Sequence, residues 1–357
     1  MIFLIKCLVN IFEMKASLDV FKQKVDDIKS HNACFGTLYQ IMKDVKDISP
    51  DANLFLDNYT KERGFNFRAN VITLYGVFEQ FVEDSIKEYV DELSHFFSSF
   101  DLLNDKIKKE YVEKWKGLHG KLNYVKFSNI DENRMIETLY ETVVENNNQI
   151  LAECFLLNGG NYKHEYIANM LNNLGLNDYK SCIAKYQPLK DYFEDESHTD
   201  CSKLDELVNC RNEIAHGANY DNIWSIDIFL SYLDFLVLYG ETLTNYLNDK
   251  LLKEYWDKYS IGKVIKPYNY YNANKVFEFH LNDMLLFRQQ KIVIKQGKNH
   301  YPQYLEYKMP EIYCKRPEET KDMIKTVDIL YGDGEWYVSI KIPLNLNINS
   351  KFFFECL

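Results

Sequence analysis

An arginine and a histidine five positions apart are the side chains of this chain best suited to chemistry on a phosphodiester. They bound the segment Arg211-Asn212-Glu213-Ile214-Ala215-His216. Histidine exchanges protons near neutral pH, so it can move a proton at an attacking 2′-hydroxyl or a departing 5′-oxygen. The planar fork of arginine can donate two hydrogen bonds to a phosphate on which charge is building. Cleavage of RNA without a metal ion needs both kinds of group.

The segment that carries this pair has the pattern of a capped helix. Apolar positions at Leu204, Leu207 and Val208 follow a polar stretch in which Thr199 or Asp200 can cap the helix, and Gly217 stands where a helix-terminating glycine belongs. On such a helix Arg211 and His216 are about 140° apart, and Asn212 is about 40° from His216. Both charged groups can border one crevice, with Asn212 holding the imidazole or the phosphate. Taken alone, this spacing is more often that of an exposed charge and a helix-terminal histidine than that of a catalytic pair.

The elements that must position this helix are predicted to be helical as well. Three-and-four spacing of apolar residues from Val71 to Leu93 predicts one long amphipathic helix over about 66–97. Similar but less regular patterns predict further helices near 17–47, 102–117, 132–157, 162–173 and 221–257. The interrupting charges of the apolar stretch 223–239 favour a buried helix there over a membrane span.

After about residue 262 the pattern becomes one of alternation, which is typical of strands. It is clearest in 275–280, 291–295 and 335–342, the last after a turn predicted at 331–334, and 351–354 is a candidate last strand. The sequence therefore predicts a possible start-site extension over 1–13, with Met14 as an alternative start. A helical domain over 14–257, a linker over 258–272 and a small β-rich module over 273–357 would follow.

Charge is distributed unevenly along the chain. The net charge is −11 overall, and residues 251–357 contain 16 basic and 13 acidic side chains, so the acidity lies in the first 250 residues. Seven basic and two acidic residues fall within 288–316. This basic stretch is the best candidate for contacting RNA, although a solvated face would look the same. The residues predicted to bind RNA are Arg288, Lys291, Lys295, Lys298, Lys315 and Arg316.

Two further patterns bear on partners and compartment. The eight cysteines include no CxxC pair and no histidine at ligand spacing, so we expect reduced thiols in a cytoplasmic protein, with no metal, no cofactor and no membrane association. The tyrosines Tyr268, Tyr270 and Tyr271 could stack RNA bases, but a linker that packs against the helical domain is the interpretation we favour.

The motif segment resembles the Arg-x4–6-His motif of the HEPN superfamily, with Arg-Asn before and His-Gly after. The segment 66–81, which contains Leu74-Tyr75-Gly76 followed by Glu79, resembles the early helix of the RiboL-PSP/MAE-like HEPN branch. The two motifs occur in the expected order, and the resemblance covers roughly 20–250. It predicts a mainly α protein: a HEPN-like helical bundle followed by a small β-rich C-terminal module.

What the resemblance implies is an endoribonuclease that acts as a homodimer. Arg211 and His216 match the catalytic positions, Asn212 matches the polar position after the arginine, and Glu79 is carried over as an accessory residue. Such an enzyme would leave a 2′,3′-cyclic phosphate and a 5′-hydroxyl, and would serve as a toxin or anti-phage effector restrained by an antitoxin or regulatory protein. The alternative is a non-catalytic HEPN-like scaffold for dimerisation or nucleotide sensing. No tyrosine follows the His-Gly pair, so roles tied to that tyrosine in one toxin branch are not transferred.

Overall fold

The structure is a computed structural model in which the chain forms two compact units. It describes residues 14–157, 159–195, 201–217, 223–260, 264–287, 290–297, 301–309, 312–318, 325–327, 329–346 and 348–354. The predicted extension 1–13 lies outside these residues. One unit ends at Thr244 and the other begins at Asn245. This division falls inside the last helix, before the predicted linker 258–272. The predicted linker itself contains the first two strands.

The first unit is built from helices. They are α1 (Ala16–Asp44), α2 (Pro50–Phe96), α3 (Asp105–His119), α4 (Glu132–Val143), α5 (His164–Asn173), α6 (Tyr179–Ile183), α7 (Gln187–Asp195), α8 (Ser202–Ala215) and the beginning of α9 (Ile226–Tyr259). Short 3-10 turns occur at Phe100–Leu102, Val125–Phe127 and Ala152–Leu156. Among the described residues, no helix combines the length and the apolarity needed to cross a membrane.

Two of the predicted helices have different lengths in the structure. Helix α2 begins at Pro50 rather than near residue 66, because the Ser49 hydroxyl caps it by accepting the N–H of Ala52 and a proline suits the first turn. Helix α4 ends at Val143 instead of continuing to residue 157. Asn146, in the polar run that follows, has a positive φ of 60°, a backbone conformation that a helix cannot contain.

The helical core is aromatic where α1, α2 and α9 meet. Phe21 stacks on Phe81 with ring centroids 4.5 Å apart, and Phe78 meets Tyr239 edge-on at 5.8 Å. All four rings are buried. A Cβ on Gly240 would lie 3.2 Å from both Phe21 and Phe81, so glycine allows the close approach of α9 to the other two helices.

The second unit combines the end of α9 with nine strands among its described residues. They are β1 (Val264–Ile265), β2 (Asn269–Tyr271), β3 (Val276–Phe287), β4 (Lys291–Lys295), β5 (Tyr304–Lys308), β6 (Ile312–Lys315), β7 (Lys325–Val327), β8 (Ile329–Lys341) and β9 (Lys351–Phe354). Strand pairing is antiparallel throughout and gives two sheets, with orders β1-β9-β4-β5 and β2-β3-β8-β6-β7.

The two sheets share one core. Phe277 and Phe279 of β3 meet Phe352 of β9 with ring centroids 5.2 and 5.0 Å apart, which is how side chains of facing sheets interdigitate. On its other face the four-stranded sheet receives Trp256 from α9, which contacts Tyr304 edge-on at 6.0 Å. The prediction of a mainly helical protein with a small β-rich C-terminal module is confirmed.

Candidate functional site

Helix α8 carries the predicted pair and presents its two members differently. Leu204, Leu207 and Val208 are fully buried, and Arg211 continues this stripe one turn later, about 40° from Leu207. His216 is the C-cap residue of the same helix and is exposed. Gly217 follows with a φ of +73°, so the glycine stop predicted from the sequence is confirmed. Cys201 occupies the N-cap position, and the predicted caps Thr199 and Asp200 lie outside the described residues.

The guanidinium of Arg211 lies over an aromatic ring of α2. Its Cζ is 3.8 Å from the centroid of the Tyr75 ring, a stacking that contributes roughly 0.5–2 kcal/mol. Glu79 is one turn further along α2, and its Oε2 lies 3.7 Å from Arg211 Nη2. With the Arg211 side chain 25% exposed, this ion pair is partly screened and adds about 1 kcal/mol or less. The ring contact and the ion pair therefore both restrain the guanidinium.

The neighbouring Asn212 contributes to the same arrangement. Its Oδ1 accepts a hydrogen bond from Arg211 Nη1 at 2.9 Å. The sequence left two roles open for Asn212, holding the imidazole or holding the phosphate. In the structure its carbonyl oxygen is directed to the guanidinium, so Asn212 restrains Arg211.

A column of polar side chains on α2 supports the arginine. Tyr75, Glu79 and Glu83 are spaced four residues apart and therefore lie above one another on the helix. The Tyr75 hydroxyl donates to the carbonyl oxygen of Gly160 at 3.4 Å and accepts the N–H of Tyr162 at 3.0 Å. At the far end, buried Glu83 accepts hydrogen bonds from the Tyr162 hydroxyl and from Lys126 Nζ. The hydroxyl of the ring that Arg211 covers is thus held by two backbone hydrogen bonds, and Tyr162, which donates one of them, is itself bound to Glu83.

Burial and charge act together on the ionisation of this column. Burial, followed by the negative charge of Glu83, raises the pKa of the Glu79 carboxyl, while Arg211 and Lys126 oppose the shift. Burial likewise raises the pKa of the Tyr75 hydroxyl, which keeps this ring neutral. Arg211 consequently faces one carboxyl that is easier to protonate than an ordinary glutamate and one uncharged aromatic face.

The imidazole of His216 is open to solvent. Its backbone N–H closes the helix by donating to the carbonyl oxygen of Asn212 at 3.0 Å. Within the part of the chain that the structure describes, the ring makes no hydrogen bond or ion pair. An exposed histidine at the end of the helix that carries a half-buried arginine can exchange protons, and the arginine can bind an anion. Among the described residues of one chain, the two side chains make no contact with each other.

The comparison with protein families assigns this arrangement to a family. Residues 37–249 match the RiboL-PSP-HEPN family model. This range includes Tyr75 and Glu79 of α2 and the whole of α8. The chain belongs to the RiboL-PSP-HEPN family. No curated protein and no solved structure matches the chain.

Family membership supports the coarser part of the functional interpretation. HEPN domains are often ribonucleases, and the helical bundle of this HEPN chain contains both the arginine and the histidine that the sequence singled out. Glu79, which the resemblance suggested as an accessory residue, is brought beside Arg211.

Sequence reasoning missed the residues that hold Arg211 in place. Tyr75 was identified as an apolar helix position and as part of the Leu74-Tyr75-Gly76 resemblance, without a role at the arginine, and Glu83, Lys126 and Tyr162 were not singled out. The four-residue spacing of Tyr75, Glu79 and Glu83 was the available signal, since a helix stacks such positions in one column.

The predicted RNA-binding residues of the second unit fall into three groups. Arg288 and Lys298 lie outside the described residues. Lys291, whose side chain is 10% exposed, pairs with Glu306 at 3.2 Å, and Lys295 Nζ lies 4.9 Å from the Tyr304 ring centroid. These two ammonium groups are already engaged, which disfavours them as phosphate ligands. The third group contacts aromatic rings of β8. Lys315 Nζ lies 5.6 Å from the Tyr337 ring centroid, and Arg316 Cζ lies 4.4 Å from the Trp336 ring centroid.

Metal and disulfide sites were not expected from the sequence. Across the described ranges, no three His, Cys, Asp or Glu side chains come close enough together to hold a metal ion. The cysteines at 34, 154, 182, 201, 210 and 314 are not joined to one another in disulfides, and Cys7 and Cys356 lie outside the described residues.

Proposed function

We propose that this HEPN chain is a metal-independent endoribonuclease whose catalytic groups are Arg211 and His216, with Asn212 orienting the arginine. The observation that carries the proposal is the preorganisation of Arg211. Tyr75, Glu79 and Asn212 fix its guanidinium, while a quarter of the side chain remains accessible. Donors that are oriented before substrate arrives stabilise developing charge without reorganisation.

The reaction follows from these groups. The 2′-hydroxyl of the substrate attacks the adjacent phosphorus, and the bond from phosphorus to the 5′-oxygen breaks. His216 acts as the general base that takes the 2′-hydroxyl proton or as the general acid that gives a proton to the 5′-oxygen. Arg211 donates hydrogen bonds to the phosphoryl oxygens as their charge increases. The products are a 2′,3′-cyclic phosphate and a 5′-hydroxyl.

The biological setting belongs to the same proposal. An unrestrained ribonuclease would damage the cell that makes it, so we place this one in the cytoplasm as a toxin or anti-phage effector held in check by an antitoxin or regulatory protein. The competing interpretation is a non-catalytic HEPN scaffold for dimerisation or nucleotide sensing. The presence of both side chains of the pair, one of them oriented, favours the enzyme.

The direct test is cleavage of end-labelled single-stranded RNA by the purified protein in the presence of EDTA. We expect cleavage to persist, because protons and charge are handled by His216 and Arg211, and we expect the new ends to be 2′,3′-cyclic phosphates and 5′-hydroxyls. End-group analysis by phosphatase and kinase treatment distinguishes these ends from 3′-hydroxyls. Activity that is lost on chelation and restored by Mg²⁺ would show that the proposed chemistry is wrong.

A second expectation concerns assembly. If two copies of α8 build one cleft across a two-fold axis, the active species is a homodimer, since His216 of a single chain is exposed and makes no side-chain bond among the described residues. Sedimentation velocity should therefore give a dimer at micromolar protein. A monomer that cleaves RNA at this concentration would exclude a shared site.

A further inference from the structure

The five-stranded sheet has an outer face on which a cation and two rings lie in one row. Lys315 of β6 is directly opposite Tyr337 of β8, which is directly opposite His280 of β3. The imidazole of His280 stacks on the Tyr337 ring with centroids 5.0 Å apart and planes inclined by 19°. Lys315 Nζ lies 5.6 Å from the centroid of the same ring. Three neighbouring strands thus present a continuous cation and ring surface.

Strand alternation places this row on the face that does not enter the core. The adjacent residues Phe279, Cys314 and Val338 are buried between the sheets, so the row residues point the opposite way. The His280 side chain is 41% exposed, and it covers a half-buried Tyr337. One face of the imidazole is therefore available as a flat surface.

A further ring extends the surface. Tyr268 is 69% exposed, and its ring centroid lies 6.2 Å from that of Tyr337. Its backbone N–H donates to the carbonyl oxygen of Glu278, which fixes the tyrosine to the edge of the sheet. Such an exposed tyrosine departs from the packed linker that the sequence favoured. Tyr268, His280, Lys315 and Tyr337 together are called the ring platform below.

We infer that the ring platform binds single-stranded RNA by stacking unpaired bases. Aromatic and imidazole faces stack on any base, whereas the bases of a duplex are covered by their neighbours. Resting on the proposed ribonuclease function, the platform would hold substrate in a chain whose first 250 residues are acidic.

The charges on the same face specify how this binding should depend on salt. The two positive charges of Lys315 and Lys341 are matched by the two negative charges of Glu335 and Glu278. The Glu335 carboxylate lies 3.4 Å from His280 Nε2. The Glu278 carboxylate accepts hydrogen bonds from the side chains of Asn269 and Ser339. Few phosphates are neutralised by such a surface. Affinity then comes mainly from stacking and changes little with salt, in contrast to a basic groove.

The test measures binding by fluorescence anisotropy in the His216→Ala background, where RNA is not consumed. The probe is a labelled oligoadenylate of about 12 nucleotides, alone or annealed to oligouridylate. Tyr268→Ala/Tyr337→Thr removes both rings but keeps a strand-forming residue at position 337. We expect it to weaken binding about tenfold or more. Tyr268→Phe/Tyr337→Phe keeps the rings and should bind like the parent.

Matched controls separate stacking from damage to the sheet. Tyr268→Ala alone removes an exposed ring without disturbing the core, and it should account for a measurable part of the loss. Tyr140→Ala removes a comparably exposed tyrosine from α4 and should have no effect. Circular dichroism and melting curves of all variants show whether the sheet is retained.

Several results would overturn the platform: undetectable binding of the oligoadenylate, equal binding of the duplex, or ring-deleting variants that bind like the parent. Ring-dependent binding of a labelled oligosaccharide or peptide by a protein that does not bind RNA would assign the surface to another partner and count equally against it. The cleavage assay tests the ribonuclease proposal independently of the binding assay. Ring-dependent RNA binding by a protein with no cleavage activity keeps the platform and removes the enzyme, and cleavage with ring-independent binding does the reverse.

Discussion

Replacing His216 with alanine should lower the rate of RNA cleavage by about 10²–10⁴-fold at saturating substrate, the range that a lost general acid or base removes. The histidine is exposed at the end of α8 and makes no side-chain bond in the described part of the chain, so its removal should leave the fold intact. We expect the melting temperature and the affinity for a labelled RNA to stay close to those of the wild type. The measurements are single-turnover cleavage, anisotropy and thermal melting.

A matched histidine variant provides the control. His95 lies in the last turn of α2 with its side chain 70% exposed, so His95→Ala removes an exposed, helix-terminal imidazole from the same domain. This variant should cleave at the wild-type rate. If His216→Ala and His95→Ala both retain full activity, His216 moves no proton in the reaction, and the general acid or base must be another group. Absence of cleavage by the wild type would instead favour the scaffold interpretation.

The sequence was most informative where a local pattern decides the structure. The helix that carries Arg211 and His216, its glycine stop and the strand at 291–295 all follow from periodicity and terminal residues, which are local properties. Residue types nominated the pair, because histidine can exchange protons and arginine can bind phosphate, but the resemblance to the HEPN motif was needed to single it out. These features are confirmed in the structure, while their catalytic roles stay predictions.

The remaining features depend on contacts between distant parts of the chain. The turn predicted at 331–334 is wrong: β8 runs through it from Ile329 to Lys341 and pairs with β3 on both sides of it. The irregularity is a bulge in β8, where residues 333 and 334 lie opposite the single residue 283 of β3 and Gly334 has a φ of +86°. Similarly, Tyr75 acquires its role from Arg211 and from the backbone of Tyr162, each more than eighty residues away. Periodicity carries no information about such partners.

The strongest test of the site is the conservative change Arg211→Lys. Lysine keeps the positive charge but has neither the planar fork for two hydrogen bonds to a phosphate nor a flat face to stack on Tyr75. We expect a fall in kcat of about 10²-fold, the usual consequence of losing an oriented donor to transition-state charge, with a smaller change in KM. Arg134→Lys on α4, an exposed arginine far along the chain from the motif, should be neutral.

Two substitutions of Tyr75 test whether its ring orients Arg211 for catalysis. Tyr75→Phe keeps the stacked ring and loses only the hydroxyl, whereas Tyr75→Leu removes the ring and frees the guanidinium. If orientation by stacking underlies catalysis, Tyr75→Leu should reproduce much of the kcat loss of Arg211→Lys, and the two changes combined should cost less than the product of their separate effects. Independent effects would mean that Tyr75 serves the packing of α2 alone. Wild-type kcat in Arg211→Lys would leave the arginine as no more than a surface partner of Glu79.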